Sequence, residues 1–225
     1  MEDFSSARQF DDEGESPLYD ELREIVDGVG ERPLLAFLKK NPFVLRQSMY
    51  SGWGHEDYVL HEFSFGGKYQ ADFVVLMSYS GGWEVNFIEI EPVDDQVYTK
   101  QLKASARLNG AFTQLNDWRD FVRLNRAQVQ RDLADRCKEK DLLKFPGNAS
   151  GNLLRAPETF VRFRYHIFIG RRERVKGDKR KKMNQCMIAD DSLSIRTVDG
   201  FLDSVQKIKE AQQDGLVPDE FKLKF

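Results

Sequence analysis

The sequence predicts an α/β domain in which helices pack on a β-sheet. Two observations carry the prediction. Three runs of strand-like residues follow one another between Tyr58 and Glu91, separated only by glycine-containing turns, and helical periodicity flanks them on both sides. A separate alternating stretch over 159–170 adds a further strand beyond the second group of helices.

Residues 1–15 are polar, acidic and without periodicity, and are expected to form a disordered tail, leaving 16–225 as a single domain. Ser16 then reads as a helix cap and Pro17 as the first helical residue, with Leu18, Leu22, Ile25 and Val26 on one face and Gly28 as the stop. A second helix over 32–40 carries Leu34, Leu35, Phe37 and Leu38. The Asn41-Pro42 step ends it, because a residue before proline is disfavoured in the α region.

The strand runs YVLHEFSF, YQADFVVLMS and WEVNFIEIE are separated by Gly66-Gly67 and by Ser80-Gly81-Gly82, which predicts an antiparallel meander. Pro92 closes the third run. A helical period is read from about 95 to 125, with Leu108, Ala111, Leu115, Trp118 and Val122 as its apolar stripe. A polar helix over 127–140 and a loop around FPGNASGN lead to the stretch over 159–170. There Val161, Phe163, Tyr165, Ile167 and Ile169 alternate. Short strands are expected over 185–189 and 193–197, on either side of Asp190-Asp191. A last helix starts near Asp199 with Phe201, Leu202, Val205 and Ile208 inward.

Composition narrows the class. No apolar run approaches the roughly 20 residues that span a bilayer, and the first residues are acidic where a secretory signal would be basic and then apolar, so a cytoplasmic location and no membrane partner are expected. Cys137 and Cys186 stand alone, without the spacing of a zinc site or a disulfide framework. The net charge of -3 conceals two poles. Residues 1–31 hold eleven Asp/Glu against two Arg, or -9, and residues 162–182 hold ten Lys/Arg against two acids, or +8. The basic pole is a candidate polyanion surface, with Arg171, Arg172, Arg174, Lys179, Arg180, Lys181 and Lys182 as its candidate DNA contacts.

The chemistry concentrates in FIEIEP. On a strand, residues i and i+2 share a face, so Glu89 and Glu91 project together while Ile88 and Ile90 point the other way. Carboxylates on a core strand are costly unless neutralised, and Asp72, on the preceding strand, supplies a third acid. With the carbonyl of Ile90, these hard oxygens match what Mg²⁺ or Mn²⁺ requires. The chemistry expected of such a centre is phosphodiester hydrolysis.

Asp72, Glu89-x-Glu91 and AFTQL together resemble the D…(D/E)-x-K…Q signature of PD-(D/E)XK nucleases. More specifically, LLAFLKKNPFVL, ADFVVL, FIEIEP, AFTQLNDW, YHIFIGRR and IRTVDGFL, in that order over about 31–206, resemble the nuclease domain of Shedu antiphage defence proteins. The resemblance implies a restriction-endonuclease-like core, a mixed sheet flanked by helices. It also implies Asp72 and Glu89 as metal ligands, Gln114 as the helix-borne residue that orients the site, Glu31 as an upstream acid, and a homo-oligomer.

One departure stands out: Glu91 occupies the position where the superfamily usually has lysine. Glu91 then either accepts a proton from water or ligates metal, or a lysine has migrated. Lys100, Lys103, Arg107 and Gln114 are spaced by three, four and seven, which sets them on one stripe if the helix is unbroken, so Lys103 or Lys100 is the expected migrant. The leading expectation is a metal-dependent DNA endonuclease or nickase. The competing one is a degenerate nuclease fold that binds DNA or oligomerises within a defence complex.

Overall fold

The expected meander forms three strands of a larger sheet. In the computed structural model, which describes residues 17–49, 57–139 and 153–213, five strands lie in the order β1-β2-β3-β4-β5. β1 (Asp57–Phe65), β2 (Tyr69–Tyr79) and β3 (Gly82–Ile90) pair antiparallel. β4 (Val161–Phe168) joins β3 in parallel, and β5 (Leu193–Arg196) joins β4 in parallel, so the sheet is mixed. Parallel neighbours need a crossover. Helices α4 (Ala106–Leu124) and α5 (Arg126–Glu139) supply the first, and α6 (Asp178–Ala189) the second.

Helices cover both faces, which is why the central strands read as nearly continuous apolar runs. On one face α1 (Pro17–Asp27), α2 (Arg32–Lys40), α3 (Pro42–Met49) and α7 (Asp199–Gln213) pack Leu22, Leu34, Leu45 and Phe201 with Phe73, Val75, Ile88 and Ile90. On the other, Leu115 and Trp118 of α4, Leu133 of α5 and Met183 of α6 pack with Val74, Val85, Phe87 and Ile167.

Local chemistry sets the boundaries. Asn41 closes α2 by donating both its backbone N–H (2.9 Å) and its Nδ2 (3.1 Å) to the carbonyl of Phe37. Pro42 then opens α3, a helix not anticipated from the sequence, because its missing N–H is no loss at a first helical position. At the β1–β2 turn Gly66 has φ 61°, and a Cβ there would lie 2.3 Å from the ring of Phe121.

Two expectations are corrected. Residues 95–105 are not helical: Ser105 is the N-cap of α4, its Oγ accepting from the N–H of Leu108 at 3.1 Å, and Tyr98 and Ala104 pair in an isolated bridge upstream. Residues 185–189 complete α6 instead of forming a strand. The acidic tail 1–15, Ser16, Trp53, His55 and the 145–152 loop lie outside the described residues. Among the described residues no helix is long and apolar enough to cross a membrane.

Candidate active site

Alternation along β3 turns Val85 and Phe87 toward the α4 layer and Ile88 and Ile90 toward the α1–α3 layer, so Glu89 projects toward α4. There it shares a side-chain hydrogen bond with Gln114. The β2–β3 ladder ends at Phe73↔Ile88, which sets Asp72 across from Glu89 at the next position. Beyond that point Asp72 takes over from the backbone: its Oδ2 accepts from the N–H of Ile90 at 2.8 Å. Glu91 continues onto β4, its N–H donating to the carbonyl of Phe168 at 2.8 Å, and is only 8% exposed.

A slip in the strands marks the spot. Tyr58 and Leu60 of β1 and Val74 and Leu76 of β2 face the α4 layer, but so do Phe63, Phe65, Tyr69 and Ala71. The two-residue alternation therefore shifts by one between the pairs His61↔Phe73 and Phe63↔Ala71, the interval that holds Glu62 and Asp72. Glu62 has φ 51°, a conformation uncommon outside glycine, and its carboxylate meets the ammonium of Lys39 at 2.5 Å.

The site is strongly acidic. Burial raises the Glu89 carboxyl to about 9, with the charges of Asp72 and Glu91 adding and the Gln114 hydrogen bond opposing. Burial likewise lifts Asp72 to about 6, against the N–H of Ile90, and Glu91 to about 7, against the charge of Arg107. Glu31, at the start of α2, adds its charge to all three. Spacing of four sets Glu31, Leu35 and Lys39 on one stripe of α2, so a single helix face brings an acid and a lysine to the strand carboxylates. The turn after β3 holds this edge in place. The N–H of Gly30 donates to Asp94 Oδ1 at 2.8 Å, the N–H of Val93 to the carbonyl of Gly30 at 3.1 Å, and that of Gly170 to the carbonyl of Pro92 at 3.3 Å.

The family model described as "Shedu protein SduA, C-terminal" matches residues 29–202, a span that includes every residue of this site. The chain belongs to the Shedu family. A search of curated proteins found no match.

In this Shedu family member the expected stripe of four divides. Arg107 and Gln114 lie on α4, where Gln114 meets Glu89 and Arg107 stands near Glu91 with its Nε 3.6 Å from Asp95. Lys100 and Lys103 lie before the helix, both exposed, and the backbone of Lys103 is bonded to Thr99. The ion pair of Lys39 and Glu62 is not anticipated from the sequence, although the 31-35-39 spacing and the broken alternation in YVLHEFSF are both legible there.

Among the described residues no three His, Cys, Asp or Glu side chains are grouped to hold one ion. Asp72, Glu89 and Glu91 thus form an adjacent pair with a third acid nearby, not a closed cage. Mg²⁺ commonly takes one or two carboxylates and keeps several waters, so the chemistry of the Asp72–Glu89 pair fits a hard divalent cation. For Ile90 the observed contact is its N–H on Asp72, which orients that carboxylate.

The basic run is helical in its second half. Arg180, Lys181 and Lys182 are exposed on the first turns of α6 and Lys179 is half-buried. Arg171 does a different job: its guanidinium reaches the carbonyl of Val26 at 2.9 Å, Asp199 at 3.1 Å and Asp27, tying the end of α1 to the start of α7. Arg172 pairs with Asp203, and Arg174 donates to the carbonyl of Asp94, in the turn that follows β3.

Proposed function

We propose that this protein is a metal-dependent DNA nuclease of the PD-(D/E)XK type, an endonuclease or nickase that acts in the cytoplasm in antiphage defence. The observation that carries the reading is the pair Asp72–Glu89, two half-buried carboxylates on adjacent strands with Gln114 against one of them, inside the span matched to the Shedu family. Such a pair is costly to keep charged and empty, and it is chemically suited to Mg²⁺ or Mn²⁺. When bound there, the cation supplies charge neutralisation and Lewis acidity toward a phosphate. Asp72 and Glu89 would hold it, and Gln114 orients Glu89. In hydrolysis the water oxygen bonds to phosphorus, the P–O bond to the leaving sugar oxygen breaks, the water proton passes to a carboxylate, and the leaving oxygen takes a proton from solvent. Glu91 is the carboxylate left for that proton.

The test is cleavage of plasmid and linear DNA by the full chain. Activity is expected with Mg²⁺ or Mn²⁺, none in EDTA, and a loss of orders of magnitude in Asp72→Ala and Glu89→Ala with circular dichroism unchanged. Absence of metal-dependent cleavage of double-stranded, single-stranded or free-ended DNA, together with Mn²⁺ binding that neither substitution weakens, overturns the reading. Glu91 at the lysine position favours a second one, a nuclease fold without turnover that binds DNA or oligomerises. Its signature is DNA binding indifferent to metal. The homo-oligomer belongs to both readings, and sedimentation velocity reports it.

A further inference from the structure

The nuclease reading leaves one part unfilled. A phosphate brought to Glu31, Asp72, Glu89 and Glu91 adds negative charge to an acidic cluster, and Glu91, just past the end of β3, stands where a lysine would answer it. Lys100 and Lys103 lie on the loop before α4, and Arg107 is engaged with Asp95 while standing near Glu91.

We propose that Lys39, from the opposite helical layer, is the cation that contacts the scissile phosphate, and that Glu62 is the positioning residue that aims it. The inference rests on the nuclease reading. Three observations place Lys39. It ends the Glu31-Leu35-Lys39 stripe of α2. Its Nζ lies 2.5 Å from Glu62 Oε1 with the side chain 35% exposed, held yet open to an incoming group. Glu62 in turn faces Asp72 across the β1–β2 ladder, between His61↔Phe73 and Phe63↔Ala71.

The backbone of Glu62 supports the assignment. A left-handed residue that is not glycine is strained, and such conformations persist where the surroundings hold them, often at functional sites. Here the slipped strand directs the carboxylate of Glu62 to Lys39. An ammonium has three donors, so the bond to Glu62 leaves two for a phosphate oxygen. Lys39 gives up no proton in the step. The attacking water and the leaving oxygen exchange their protons with a carboxylate and with solvent, as above.

The experiment compares Lys39→Ala, Lys39→Arg, Arg107→Ala and Glu62→Gly in the full chain by three readouts: single-turnover cleavage, Mn²⁺ affinity, and salt dependence of binding to a short duplex in Ca²⁺. Lys39→Ala is expected to slow cleavage on the order of 100-fold, as loss of one preformed charge-stabilising donor does. Its Mn²⁺ affinity should be unchanged or tighter, since a nearby positive charge is removed. Its slope of log affinity against log salt should be shallower by about 0.9, one phosphate contact. Lys39→Arg should recover part of the rate. Glu62→Gly keeps a backbone that tolerates positive φ while releasing the ammonium, and should lower the single-turnover rate with little change in Mn²⁺ affinity. Wild-type rate and slope in Lys39→Ala, or a comparable loss confined to Arg107→Ala, overturns the assignment. If wild type cuts no DNA under any condition, the nuclease reading fails by itself, and the duplex slope still decides whether Lys39 meets phosphate.

Discussion

Glu89 is where burial and like charge act together most strongly, and its titration has a consequence for stability. Asp72, Glu91 and Glu89 are raised to about 6, 7 and 9 in the metal-free fold. A carboxyl with a raised pKa keeps its proton in the folded state after the unfolded chain has released it. Its contribution is therefore fully present below the ordinary carboxylate range, near pH 4, and is lost as pH rises through the folded values. In EDTA the melting temperature is expected to fall between about pH 5 and pH 9. Glu89→Gln, which cannot acquire the charge, should melt higher than wild type at the alkaline end and show a shallower fall. Mn²⁺ competes with those protons, so its stabilisation of wild type should grow with pH and be much smaller in Glu89→Gln. Parallel pH curves for the two proteins in EDTA would show that neither burial nor its neighbours raise Glu89 in the fold.

At the scale of elements, α4 carries both Arg107 and Gln114 into the site, and its start is fixed by one side chain. Ser105→Ala should cost about 1 kcal/mol in urea denaturation and Ser105→Asp should restore most of it, because the oxygen that accepts from Leu108 is what satisfies the first turn. An unchanged midpoint in Ser105→Ala would show that the bridge between Tyr98 and Ala104 sets the helix start alone. The same element shows what could be read beforehand. The stripe Leu108, Ala111, Leu115, Trp118 and Val122 was plain from periodicity, and all five are buried. The start was not, since the polar run before Ser105 has no period that opposes a helix, and its turn depends on a distant partner, Tyr98 meeting Cys186 of α6 at 3.7 Å. Likewise the meeting of Glu89 and Gln114 was legible because each lies on a regular strand or helix, where spacing dictates direction. Asp72 lies where the β1–β2 alternation slips, so its bond to the N–H of Ile90 was not legible. Lys39 was hidden because its role depends on how α2 crosses the sheet and on the left-handed turn of Glu62, neither of which local pattern specifies. α3 was hidden for a simpler reason: Pro42 was read as a stop for α2, and it is also a start.

Across the whole molecule, the +8 run of 162–182 is divided between holding the fold together and facing solvent. Arg171, 17% exposed, joins α1 to α7 and so ties the two ends of one helical layer together. Arg174, by contrast, bonds the Asp94 carbonyl beside the site, and α6 follows with Arg180, Lys181 and Lys182 in solvent. α6 also packs on the loop that leads into α4, through Cys186 and Tyr98, so these exposed charges stand on the same layer toward which Glu89 projects. A duplex seated at the site would meet them, with the strongly negative polymer drawn to the cations that open α6. Replacing Arg180, Lys181 and Lys182 together by Ala would remove three candidate phosphate contacts without touching the core, and alanine is favourable in a helix. The slope of log affinity against log salt should become shallower by about 2.7, with the melting temperature close to that of wild type. Arg171→Ala should do the reverse, lowering the melting temperature through the lost clamp while leaving the slope of the folded protein nearly intact. An unchanged slope in the triple variant would remove α6 from the DNA path, and the cations around the turn after β3, Arg107 and Arg174, would then have to carry the binding alone.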